Sequence, residues 1–197
     1  MEIPSQPNGL AWQLLTDETV YQARKDAQAS VLDLLGLCAD KLKKNAAEMS
    51  WIPSEGRDSL PKISRGDNYK GSPWIVLDYP RIFEKDAVFA FRTMAWFGHA
   101  VHCTFHMSGR FLNDYRDNIM QNLHLLHESN IMICSHQDAW LHHISSDAFV
   151  AINQLSPDVL KVMKFIKPGA VIPFNEWETI PEKVNAVFTR ISSLLQR

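Results

Sequence analysis

The sequence predicts an α+β fold, with helices packed on a mostly antiparallel or mixed sheet in a single domain. Three observations predict it. Apolar residues recur at three- and four-residue steps near both ends of the chain, while the middle alternates with a period of two. A hairpin signal lies within that middle stretch, and no strict strand–helix–strand alternation is present. The 197 residues, 46% of them hydrophobic, suffice for one sizeable core.

Residues 1–15 carry Pro4, Pro7, Asn8 and Gly9 and read as an extended leader anchored by Trp12, Leu14 and Leu15, ahead of a domain over 16–197. A first helix follows, capped by Thr16 or Asp17, with Val20, Ala23, Ala27, Val31, Leu34, Leu35, Cys38 and Leu42 on one stripe. Pro53, Gly56 and Pro61 mark a loop. Trp74 to Tyr79 is β-rich and is expected to stop at Pro80. In the stretch from Ala87 to Phe97, Phe89, Phe91 and Phe97 share one face, and Arg92, Met94 and Trp96 the other. Gly98 gives a tight turn into Ala100–Met107. There Val101, Cys103, Phe105 and Met107 face one way, and His102, Thr104 and His106 the other. Beyond Ser108-Gly109 a helix buries Leu112, Tyr115, Ile119, Leu123 and Leu126. Ile131–Cys134 and Phe149–Ile152 read as short strands. Ser156-Pro157 starts a helix that should run to Lys167-Pro168-Gly169, and Val171–Phe174 reads as an edge strand because of Pro173. Thr179 and Glu182 suggest a capping box for a last helix that buries Val184, Val187, Phe188, Ile191 and Leu195.

Composition narrows the function. A net charge of −2 without a basic stripe argues against a nucleic-acid-coating protein. The first residues lack the apolar region of a secretory signal, and no apolar run is long enough for a membrane span. Cys38, Cys103 and Cys134 are widely spaced, with no Cys-x-x-Cys pair, and read as buried thiols of a cytoplasmic protein.

Two groups of residues could carry chemistry. The first is the run Lys62-Ile63-Ser64-Arg65-Gly66-Asp67-Asn68-Tyr69-Lys70-Gly71-Ser72-Pro73, continuing to Leu77-Asp78-Tyr79-Pro80-Arg81. Lys62, Arg65, Lys70 and Arg81 stand around two glycines, an arrangement able to hold an anion. A β-turn with solvated charges accounts for the same residues. The run does not match a Walker A loop. It resembles the central block of a family of small uncharacterised bacterial cytoplasmic proteins, over about residues 60–110. That resemblance implies a cytoplasmic α+β protein and transfers no catalytic residue.

The second group is histidine. All 8 histidines lie between His99 and His143. His102 and His106 share a strand face at ~13 Å, too far apart to bind one metal together. His124 and His127 lie three apart on a helix, and His136, His142 and His143 lie near Asp138 in a loop. None of these has zinc-type spacing, so no metal site is assigned. Nor is there a Gly-x-Ser-x-Gly elbow for a hydrolase, and Cys103 sits on the apolar strand face.

The reading is a small-molecule or anion-binding protein, or an enzyme, with ligand-binding residues Arg65, Lys70, Arg81, Arg92, His102 and His106. The alternative is an interaction protein without catalysis that uses the second sheet face as a homodimer interface through Arg92, Trp96 and His106. No nucleic acid, membrane or cofactor is assigned. On this reading His102 and His106 are more exposed than Val101, Cys103 and Phe105.

Overall fold

The computed structural model describes residues 3–127 and 129–196. It is a single α+β domain in which helices cover one face of an open eight-stranded antiparallel sheet. In chain order the helices are α1 (Gly9–Thr16), α2 (Glu18–Ala47), α3 (Ser54–Arg57), α4 (Gly109–Asn122), α5 (Pro157–Val162) and α6 (Ile180–Ser192). The strands are β1 (Lys62–Tyr69), β2 (Ser72–Phe83), β3 (Val88–Trp96), β4 (Ala100–Ser108), β5 (Met132–Cys134), β6 (Phe149–Ala151), β7 (Phe165–Ile166) and β8 (Pro168–Pro173). The sheet order is β1-β2-β3-β4-β8-β5-β6, with β7 also on β4.

The period-two reading of β3 and β4 holds. Phe89, Phe91, Val101, Cys103, Phe105 and Met107 are buried on the helix side of the sheet, together with Ile75 and Leu77 of β2. Against them pack Leu34, Leu35, Cys38 and Leu42 of α2, Phe111, Leu112 and Ile119 of α4, and Val184, Phe188 and Ile191 of α6. Phe188 is central, with its ring centroid 5.1 Å from that of Phe91 and 6.1 Å from that of Phe105. Asp17 caps α2 by accepting from the Thr19 N–H at 2.9 Å.

Several expectations are corrected. The leader is not wholly extended: Gly9–Thr16 is helical, yet none of its residues is buried. Met1 and Glu2 lie outside the described residues. Part of the loop after α2 is the short helix α3. The Lys62–Arg81 run is a β-hairpin, not a loop around two glycines. Lys70 (φ 50°) and Gly71 (φ 88°) form its two-residue turn, and positive φ at both positions matches the twist of paired strands. β2 does not stop at Pro80. A register shift between Asp78 and Arg81 takes the proline's missing donor out of the ladder.

The helix begun at Ser156, whose hydroxyl accepts from the Asp158 N–H at 3.3 Å, ends at Val162 rather than near Lys167. β8 is an interior strand between β4 and β5. Pro168 and Pro173 lie at its ends. Thr179 does not form a capping box: its hydroxyl donates to the Glu176 carbonyl at 2.9 Å.

Truncating Phe188 to alanine is expected to destabilise the fold by about 3–5 kcal/mol, the range for a large aromatic lost from a packed core. Urea unfolding of Phe188→Ala against the parent chain measures it.

Candidate anion site beneath the 135–148 connection

The second face of the sheet carries a polar strip whose order follows from strand register. Asp78 pairs with Arg92 and Arg92 with Thr104. Ala90 pairs with His106, and Met94 with His102. β7 and β8 continue one register along β4, from Met107↔Ile166 to Thr104↔Gly169, which sets Lys167 opposite His106. Two small apolar clusters flank the strip: Val76, Met94 and Trp96 on one side, and Cys134, Ile144, Ala148, Phe149 and Phe165 on the other.

The strip is not free. The connection between β5 and β6, residues 135–148, folds back across it. Its backbone is held at several points by polar groups of the sheet. The Ile144 N–H donates to His102 Nδ1 at 3.0 Å, and the His142 N–H to the Tyr69 hydroxyl at 3.0 Å. The Lys167 ammonium donates to the Ala139 carbonyl at 3.0 Å and to the Leu141 carbonyl. Tyr69 also bonds His143 Nδ1 at 2.8 Å, and Lys70 Nζ lies 3.3 Å from His143 Nε2. Gly169 makes the close approach possible: a Cβ there would lie 2.3 Å from the Cys103 carbonyl oxygen and 3.0 Å from Ile144.

The expected exposure of His102 and His106 is therefore wrong, although their strand and its facing are right. They are 4% and 7% exposed, because a long connection supplies the cover that a hydrophobic strand partner would otherwise give. Trp96, 7% exposed, is likewise buried within the chain, so it and His106 are not available as homodimer contacts while the connection is in place.

At the centre of the strip Arg92 grips Asp78 through two parallel bonds, Nε to Oδ1 at 2.7 Å and Nη2 to Oδ2 at 2.8 Å. Its Nη1 lies 3.1 Å from both ring nitrogens of His142. Arg92, Thr104, His106, His142 and Lys167 line a cavity of about 10 Å³, with Phe83 and Trp140 at its rim. That volume suits about one water-sized group. The Trp140 indole stacks on Phe83 and meets His106 edge-on at 5.5 Å. His106 Nε2 is buried without a hydrogen-bond partner among the described residues. Lys167, 2% exposed, donates among the described residues only to neutral carbonyls. Burial pushes its ammonium down to about 8.

The six sequence-derived ligand residues do not converge. Arg92, His102 and His106 share the covered face, and Lys70 reaches its edge through His143. Arg65 is exposed and pairs with Ile75, so it faces the helix side, beside Arg24 of α2. Arg81 is tied to the Leu60 carbonyl at 2.9 Å. His124, His127 and His136 are exposed. Among the described residues no group of three or more histidine, cysteine or acidic side chains could hold a metal. Sequence reasoning missed Lys167 and Trp140. A single lysine between Phe165-Ile166 and Pro168-Gly169 was the available signal, masked by the expectation that a helix continued there.

The chain matches no protein-family model, no curated protein and no solved structure.

Burial pushes the imidazolium forms of His102 and His106 down to about 4. Burial, and then the Arg92 guanidinium, push that of His142 down to about 3. Between these values and the unfolded value of about 6.5, the unfolded chain binds protons that the native chain refuses, so stability rises with pH. Their neutral-form stabilisation is complete above pH ~6.5 and is lost as pH falls toward ~4. Urea midpoints measured across that window should fall with falling pH, and His106→Gln should flatten the slope.

Proposed function

We propose that the chain binds a small oxyanion on the covered sheet face, between His106, Lys167 and Arg92. The observation that carries this reading is charge. Asp78 already balances Arg92, whereas among the described residues Lys167 is a buried cation bonded only to carbonyls, beside an unpartnered imidazole nitrogen. A buried unpaired charge is costly, and an anion at this point would lower that cost. Two of the three ammonium protons are placed on the connection. The third proton and His106 Nε2, in its donor tautomer, supply two donors to an anion oxygen.

The cavity accepts about one heavy atom directly, such as one oxygen of the anion. A larger oxyanion enters where Trp140, 53% exposed, rests on Phe83. On this reading the 135–148 connection is the cover of the site, and Lys167 is both its clamp and the ligand's counter-ion. The three free, buried thiols support a cytoplasmic location. Among the described residues no helix is long and apolar enough to cross a membrane.

Formate and nitrate should raise the melting temperature of the parent chain in a saturable way at constant ionic strength, as expected for a ligand that binds only the folded state. Lys167→Met should abolish the rise, and Arg65→Ala should leave it intact. An unchanged response in folded Lys167→Met overturns the proposal.

A further inference from the structure

A second cleft lies away from the sheet's polar face, where the turn after α2 meets the end of the chain. The turn is pinned by Met49 and Ile52, 4% and 1% exposed. Its backbone is fixed from two sides: the Tyr115 hydroxyl donates to the Trp51 carbonyl at 2.6 Å, and the Tyr79 hydroxyl to the Arg57 carbonyl at 2.9 Å. The opposite wall is the backbone at Leu195 and Gln196, tied to α4. Asn118 Nδ2 donates to the Leu195 carbonyl at 2.9 Å, and Asn122 Nδ2 to the Gln196 carbonyl at 2.8 Å. Between these walls the cleft measures about 780 Å³, inside the ~300–1,000 Å³ range of small-molecule sites.

Its chemistry is one-sided. Of the side chains that line it, Arg57 has no hydrogen bond on its terminal guanidinium nitrogens among the described residues, while its Nε–H and the Trp51 indole Nε1–H are buried there without a partner. Unsatisfied buried donors are uncommon in folded proteins. Arg57 makes no ion pair among the described residues. Of the acids beside it in the chain, Glu55 is turned away to Arg110, which also holds Glu84, and Asp58 is exposed. Among the described residues no carboxylate side chain lines the cleft, and the part-exposed Trp51 and Pro53 supply apolar wall.

We propose that this cleft binds a small organic acid, with its carboxylate on the Arg57 guanidinium and its apolar body along the part-exposed Trp51 and Pro53. One guanidinium matches the single charge and two oxygens of a carboxylate. A phosphate monoester, with a charge near −2, would call for further cations. The site shares no residue with the sheet-face site, so the two readings stand or fall separately.

Calorimetric titration of the full chain with phenylacetate and with phenylacetamide tests the proposal. The acid should bind and its amide should bind at least tenfold more weakly. Arg57→Gln should weaken the acid at least tenfold, while Lys167→Met leaves its affinity unchanged. Ser54→Trp, at an exposed rim position, should block the cleft without altering thermal unfolding, and decides the matter if Arg57→Gln does not fold. The proposal is overturned if phenylacetate gives no binding at millimolar concentration, if acid and amide bind equally, or if folded Arg57→Gln or Ser54→Trp binds the acid as the parent does.

Discussion

The structure depends on how a sheet with one polar face comes to be buried on both sides. Helices cover the apolar face by ordinary packing of Leu35, Phe91, Phe105 and Phe188. The polar face cannot be covered that way, because Asp78, Arg92, His102, His106 and Lys167 would lose water without replacement. The chain instead lays the 135–148 connection over it, whose carbonyls and N–H groups meet the charged and imidazole groups beneath. The ammonium of Lys167 is the main fastening. It stands opposite His106 in the sheet and reaches two carbonyls of the connection.

That fastening leaves an asymmetry. Carbonyl dipoles stabilise an ammonium but do not neutralise it. The aspartate on the strip is committed to Arg92 by paired bonds, and the nearby histidines are held neutral by burial. Among the described residues Lys167 therefore has no ion-pair partner, and the exposed Asp138 of the connection acts on it only through space. On the proposed reading, the same arrangement that seals the face receives an anion and links ligand binding to the seating of the connection. At the opposite extreme, α1 and the first turns of α2 make little use of burial: from Gly9 to Ser30 no side chain is buried.

Much of this was legible in the sequence. Strict alternation in Ala100–Met107 revealed the two faces of β4, and the three- and four-residue stripe of α2 and the last helix revealed what covers one of them. The cover of the other face was not legible, since residues 135–148 lack periodicity and their contacts, such as Ile144 to His102 and His142 to Tyr69, are long-range. Lys167 was hidden because Lys164 to Gly169 carries too few residues to separate a strand from the end of a helix. The Lys62–Arg81 segment shows the reverse error. Its glycines suggested a ligand loop, yet Gly71 serves a hairpin turn and Gly66 leaves room for the Trp74 ring, which a Cβ would meet at 2.6 Å.

The central claim is that polar clamps, with Lys167 foremost, hold the 135–148 connection on the sheet. Amide hydrogen exchange of the peptides spanning 139–144 tests it most directly, because the His142 and Ile144 N–H groups are protected only while the connection is seated. The account predicts slow exchange in the parent chain, still slower exchange with formate, and fast exchange confined to this segment in Lys167→Met. Equal and rapid exchange of 139–144 in both proteins, with the sheet strands protected, would contradict it.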